Sequence, residues 1–132
     1  MTIERQNPPG LHTPPGYHHV TVTSAPQTVY LAGQCPLTPD GSLAGGDILA
    51  QVDQVVANTA AALEFAGASP SDVVRTVIYV VTEDRTVLSS VWTRLTSSPI
   101  APAFTSASTL LGVAQLGYPG QLVELDVTAA LA

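Results

Sequence analysis

The sequence predicts an α+β fold in which two helices cover one face of a sheet. Three observations carry this. Two stretches free of Gly and Pro place apolar residues at spacings of three and four, the period of a helix with one buried face. Short runs rich in β-branched residues lie before, between and after them, as strands require. The resulting order is β-β-α-β-α-β-β within 132 residues, a length that suits a single domain spanning 1–132.

Taken in order, residues 1–16 hold four prolines and two glycines and read as an extended N-terminal segment without regular structure. His18 to Thr23 is β-branched and polar by turns. Ser24-Ala25-Pro26-Gln27 follows as a turn, and Val29-Tyr30-Leu31-Ala32 reads as a second strand, so the two are expected to form a hairpin. Pro36 through Gly46 is a loop with a Pro39-Asp40-Gly41 turn signal. Asp47 is a good N-cap, because its carboxylate can accept the free amides of a first helical turn. Ile48, Val52, Val55, Val56, Thr59 and Leu63 then share one helical face, and Gly67 ends the helix. Val73 to Val81 is apolar at almost every position apart from Arg75, which is how a strand buried on both faces reads. Thr82 is the expected cap of a second helix, with Glu83 and Asp84 in its first turn and Val87, Leu88, Val91 and Leu95 as its apolar stripe. After Pro99 and Pro102, strands are expected over Thr105 to Val113 and Leu122 to Thr128.

Hydrophobic residues make up 45% of the chain and charged residues 11%, against about 25% charged in an average domain. A small domain has much surface for its volume, and two helices leave one sheet face bare. Both points lead to the expectation of an oligomer. The formal net charge is −6, lysine is absent, and the cations are Arg5, Arg75, Arg85 and Arg94. Nucleic acid is therefore not expected as a partner, since phosphate binding needs several basic residues along one face. Acidic lipid surfaces are disfavoured for the same reason. The single cysteine, Cys35, excludes an intrachain disulfide and a multi-cysteine metal site. The N-terminus lacks the apolar stretch of a signal peptide, and no run reaches the roughly 18 apolar residues of a membrane span. The expectation is a cytoplasmic protein.

Several segments resemble the Rid (YjgF) family. Tyr30-Leu31-Ala32-Gly33-Gln34 is similar to its strand-to-loop signature, and Gly46-Asp47-Ile48-Leu49-Ala50-Gln51 to the start of its first helix. Asn58, Leu63, Ala66-Gly67, Asp72-Val73-Val74 and the strand Thr76 to Val81 continue the match. Leu122-Val123-Glu124-Leu125-Asp126 resembles the closing strand, and the likeness runs from about Tyr17 to Ala129. The resemblance implies a chorismate-mutase-like fold, with three subunits packing their sheets into a central barrel. It implies clefts at the subunit interfaces that bind a small-molecule metabolite, in the deaminases an imino or enamino acid, without a cofactor. It further implies an arginine in a P-A-R-T motif that grips the substrate carboxylate. A backbone amide near the Gly-Gln signature, an N-terminal tyrosine and a closing-strand glutamate that positions water complete such a site.

On this chain Tyr17 fits the tyrosine, Gly33 the loop glycine and Glu124 the glutamate. The arginine is missing. Reading Pro102-Ala103-Phe104-Thr105 as the motif puts Phe104 in its place. Aligning Gly112-Val113-Ala114 with the following strand puts Ser108 there instead. Neither supplies a cation, and no Lys or Arg follows Arg94. Hydrogen bonds to a charged group contribute about 1.5–3 kcal/mol, so the loss weakens carboxylate binding about 10- to 100-fold. Hydroxyls of Ser106, Ser108 or Thr109 can hydrogen-bond a carboxylate but not neutralise it. The expected ligand is therefore neutral, cationic or held by its apolar part.

Other residues carry two readings each. Glu124 and Asp126 point to one strand face, which reads either as a solvated strand face or, through the family match, as carrying Glu124 as a general acid–base. His18 and His19 are proton carriers near neutral pH or a pair at the chain's start; their adjacency and the lack of a third ligand argue against a metal. Cys35 follows the Gly-Gln signature, but nothing local activates it as a nucleophile, so packing is the expectation. Trp92 falls outside the main stripe of the second helix and reads as partial packing. Phe104 and Tyr118 line a cleft or pack. Three functions follow. The first is hydrolysis, dehydration or tautomerisation of a reactive small molecule with Glu124 as acid–base. The second is imine deamination in the family manner, and the third is a non-catalytic trimeric binder of a metabolite or partner protein.

Overall fold

The computed structural model describes residues 2–132; Met1, the first residue of the expected extended segment, lies outside them. The elements are β1 (Ile3–Gln6), β2 (Val20–Thr23), β3 (Gln27–Tyr30), α1 (Ile48–Phe65), β4 (Val73–Val81), α2 (Arg85–Thr96), β5 (Ala107–Val113) and β6 (Val123–Leu131). The main sheet has the order β3-β6-β4-β5. β4 and β5 are parallel, connected through α2, and the other pairs are antiparallel. The α+β class with two helices is as expected. No helix among the described residues is long and apolar enough to cross a membrane.

The first helix follows its sequence closely. Asp47 caps it by accepting the Ala50 amide at 3.0 Å, and Val52, Val55, Val56, Thr59 and Leu63 are buried. Gly67 stands just past the end with φ +82°. The amides of Gly67 and Ala68 donate to the carbonyls of Glu64 and Leu63, closing the last turn as a Schellman motif.

The second helix starts later than expected. Asp84, not Thr82, is its N-cap and accepts from the Thr86 amide at 2.8 Å. The Thr82 hydroxyl accepts from the Asp84 amide instead, so it shapes the preceding turn. A carboxylate at N-cap is preferred to a threonine, and the shift makes Arg85 the first helical residue.

Three strand expectations are corrected. The two early strands do not form a hairpin: β2 pairs with β1 and β3 pairs with β6. The segment 1–16 is not without regular structure, since Ile3–Gln6 is a strand. All four of its prolines come after Gln6, so they break the connection and leave β1 free to pair. The strand expected from Thr105 begins at Ala107, because Ala101–Thr105 forms a 3₁₀ turn that tucks Phe104 into the core. β6 continues to Leu131 because β3 lies along its C-terminal half.

The core lies between helices and sheet. Val52, Val55 and Leu63 of α1 and Val91 and Leu95 of α2 meet Ile78 and Val80 of β4 and Val123, Leu125 and Val127 of β6. β4 is not buried on both faces in the single chain. Val73, Thr76, Ile78 and Val80 are buried, whereas Val77, Tyr79 and Val81 are half-buried. Leu111 and Tyr30, on the same outer face, are exposed.

Candidate functional site

The expected site residues fall into two groups. The first surrounds Glu124 on β6. Its Oε1 accepts from Gln121 Nε2 at 3.1 Å and from the Cys35 thiol at 3.3 Å. Gln121 is itself buried and also donates to the Val123 carbonyl while accepting from the Tyr118 amide. Its carboxamide is therefore held rigidly, and it holds Glu124 in turn. Glu124 Oε2 lies over Gly33, where an added Cβ would stand 2.3 Å from it. Only glycine permits that approach. The Gln34 amide, next in the signature, is committed to the Leu125 carbonyl at 2.7 Å.

Cys35 is tied into this group as a donor. Burial, then the hydrogen bond and charge of Glu124, push its thiol up to about 11. A thiol held protonated is not a nucleophile at neutral pH. Asp126 faces the same way as Glu124, opposite Val77, and is half-buried.

The second group lines a cleft of about 660 Å³ along α2 and the outer edge of β5. Tyr17, Arg85, Leu88, Trp92, Ser108 and Thr109 are among its walls. Tyr17 stands edge-on to Trp92, with ring centroids 6.1 Å apart, and its hydroxyl is 3.3 Å from His12 Nε2. Trp92 donates its indole N–H to the Pro15 carbonyl, which fixes the N-terminal segment against α2. The Ser108 hydroxyl donates to the Ser106 carbonyl and accepts from Thr76 at 2.6 Å, so its proton is already engaged. The Ser106 hydroxyl donates to the Ala103 carbonyl. Thr109 Oγ1 accepts from Arg75 at 3.3 Å and keeps its own proton free. Phe104 is 1% exposed and packs edge-on against Trp92 from inside the core. His18 Nδ1 bonds the Thr105 carbonyl and His19 Nε2 the His12 carbonyl, so both rings hold backbone in place. Tyr118 is exposed, and its amide anchors Gln121.

One chain does not bring the two groups together. Ser108 pairs with Thr76 on the helix side of the sheet, while Glu124 pairs with Tyr79 on the other. Two strand spacings, about 10 Å, also separate β5 from β6. Among the described residues, no group of three or more His, Cys, Asp or Glu is placed to hold a metal ion.

Three residues escaped the sequence argument. Gln121 and His12 had no motif to flag them. Arg85 did carry a signal: it lies seven residues before Trp92, two turns along the same helical face. The sequence argument sought a cation only at the arginine position and beyond Arg94. The fold brings one in from α2, into the wall of the cleft that Ser108 and Thr109 also line.

The sequence model of the family described as Endoribonuclease L-PSP matches residues 11–131. A RutC family protein of Pyrococcus abyssi is 44% identical over 52 residues, 39% of this chain and 41% of that protein's length. The structure is similar to that of a protein of the conserved Rid family, YyfB, from Yersinia pestis. That likeness has a TM-score of 0.90 and 34% identity, and covers 99% of this chain and 100% of the other. It is also similar in fold to the YjgF gene product from E. coli, with a TM-score of 0.64 and 23% identity over 86% of this chain and 87% of the other.

Proposed function

The chain belongs to the Rid (YjgF) family, the Endoribonuclease L-PSP family of the matched sequence model, and from that premise we propose that it hydrolyses a reactive imine or enamine-like metabolite, with Glu124 as the acid–base. The observation that carries this reading is the state of the Glu124 carboxylate. One oxygen is pinned by Gln121 and Cys35. The other has no hydrogen-bond partner among the described residues and lies against Gly33, in the space that a Cβ there would take. A carboxylate oriented in this way can bind a water and take its proton.

The chemistry balances without a cofactor. Water adds to the carbon of a C=N bond as Glu124 accepts one of its protons. Glu124 returns that proton to nitrogen, giving a carbinolamine; it then moves the remaining hydroxyl proton to nitrogen in the same way, the C=O bond forms as the C–N bond breaks, and ammonia leaves. An enamine enters the same route after protonation at carbon. The reaction requires the Glu124 group to meet a substrate held in the Tyr17 cleft. We infer that a neighbouring subunit supplies the second half, in a trimer whose central barrel covers Val77, Tyr79 and Leu111. Serine at position 108 makes the substrate contacts differ from those of the arginine-bearing deaminases.

The family's description also names RNA cleavage. Four arginines and no lysine in a chain of formal charge −6 oppose that reading, since one of the four, Arg94, is already paired with Asp53 at 2.7 Å. A non-catalytic binder would not need the pinned carboxylate.

The test follows decay of a 2-imino acid generated in situ by an amino-acid oxidase, using a semicarbazide trap. The protein is expected to accelerate decay, and Glu124→Gln to lower the acceleration at least 100-fold, the lower end for a positioned acid–base group. Equal rates for the variant and the parent would remove Glu124 from the mechanism. No acceleration by folded protein would leave an enzyme of a different substrate or a binder.

A further inference from the structure

The cleft beside Ser108 has a charge composition that the proposed reaction does not explain. The chain holds ten acidic residues against four basic ones, yet no carboxylate lines this cleft and its one charged wall residue is Arg85. Arg85 stands at the first position of α2, where the helix dipole disfavours a cation. Its guanidinium forms no ion pair among the described residues, where the one salt bridge joins Arg94 to Asp53. Its side chain makes no hydrogen bond among the described residues, and its backbone carbonyl accepts from the Ser89 hydroxyl. Arg85 is exposed, its charge is not used by another side chain among the described residues, and it forms part of the wall of a cleft whose other walls are largely apolar.

The neighbouring groups cannot take its place. The Ser108 and Ser106 hydroxyl protons are held by backbone carbonyls. Thr109 has a free proton but no charge. Leu88 and Trp92 supply an apolar surface beside the guanidinium.

We propose that Arg85 selects the charge of the substrate: the molecule bound here carries a carboxylate on Arg85 and an apolar tail against Leu88 and Trp92. This deepens the reading above, on which it rests for the bond that is broken, and it replaces the sequence-based expectation of a neutral ligand. The anchor comes from helix α2, not from the strand position that serine occupies. A forked guanidinium–carboxylate contact is directional, so it also orients the tail.

The experiment compares binding of 4-methyl-2-oxopentanoate, the product a branched imino acid would yield, with binding of its neutral methyl ester. Both are titrated into the full-length protein by calorimetry at low salt. The parent is expected to prefer the acid about 10-fold, a modest value for a charged hydrogen bond in a cleft partly open to water. Arg85→Gln should remove the preference, bringing the affinity for the acid down to that for the ester; Arg85→Lys should keep part of it, and 0.5 M salt should reduce it. Equal binding of acid and ester by the parent, an undiminished preference in Arg85→Gln, or no binding of either ligand would overturn the proposal. Imine hydrolysis measured on the same samples separates it from the proposed reaction. Hydrolysis dependent on Glu124 with no acid preference sinks the role of Arg85 alone. An Arg85-dependent preference without hydrolysis supports Arg85 and sinks the reaction.

Discussion

Glu124 and Cys35 show how one contact sets two chemistries. The thiol gives its proton to the carboxylate, which orients Glu124 and at the same time holds Cys35 protonated. Folding raises the thiol from 9.0 to about 11. The stabilisation from the protonated thiol is therefore complete below about 9 and is lost as pH rises toward 11. At pH 8 only about a thousandth of Cys35 is thiolate. Alkylation by iodoacetamide is expected to be about 100-fold slower in the folded protein than in denaturant at that pH, and to rise about tenfold per pH unit. Glu124→Gln removes the repelling charge and should speed labelling at a given pH. Equal labelling of folded and denatured protein at pH 8 would rule out the buried contact. The packing of Cys35 was legible in the sequence, which also marked Glu124 as a candidate. Their hydrogen bond was not legible, because residues 35 and 124 are neighbours only through the Gln34–Leu125 bridge.

At the scale of elements, caps and stripes decided most boundaries. Asp47 satisfies one of the four free amides at the start of α1. Asp47→Ala is expected to cost about 1 kcal/mol of stability, read from the midpoint of urea unfolding at unchanged slope. A loss under about 0.3 kcal/mol would show that water caps the helix equally well. The cap of α2 was expected at Thr82 and lies two residues further on, at Asp84. That small shift mattered, because the choice of cap places Arg85 as the residue that opens the helix. The early strands were recognised as strands but paired wrongly. Strand partners depend on what the rest of the sheet leaves open, and β3 is drawn to the long edge of β6.

The whole molecule leaves one face of its sheet uncovered. Val77, Tyr79 and Leu111 sit there among Glu124, Asp126 and Arg75. Apolar burial contributes about 25 cal/mol per Å², which favours covering that face, as the proposed trimer would. Leu111 is 42% exposed in the single chain. Leu111→Glu is expected to shift the protein from trimer to monomer in sedimentation velocity, with little change in circular dichroism. A variant that stays trimeric would place the interface elsewhere, and a monomeric parent would remove the shared cleft from the proposed mechanism.

Local chemistry was enough to determine the fold class, both helices, the caps at Asp47 and Gly67, and the family resemblance. These depend on periodicity, turn residues and motifs, all of which are short-range along the chain. Three things were decided only in three dimensions. β1 found β2 past four prolines, Glu124 found Gln121 and Cys35, and Arg85 came to line the same cleft as Ser108. Each joins segments whose contact follows from sheet order and helix placement. The physical reason is the same throughout. A residue's propensity and charge are carried in its own side chain, whereas its partner is set by which surfaces remain unpaired once the core has closed.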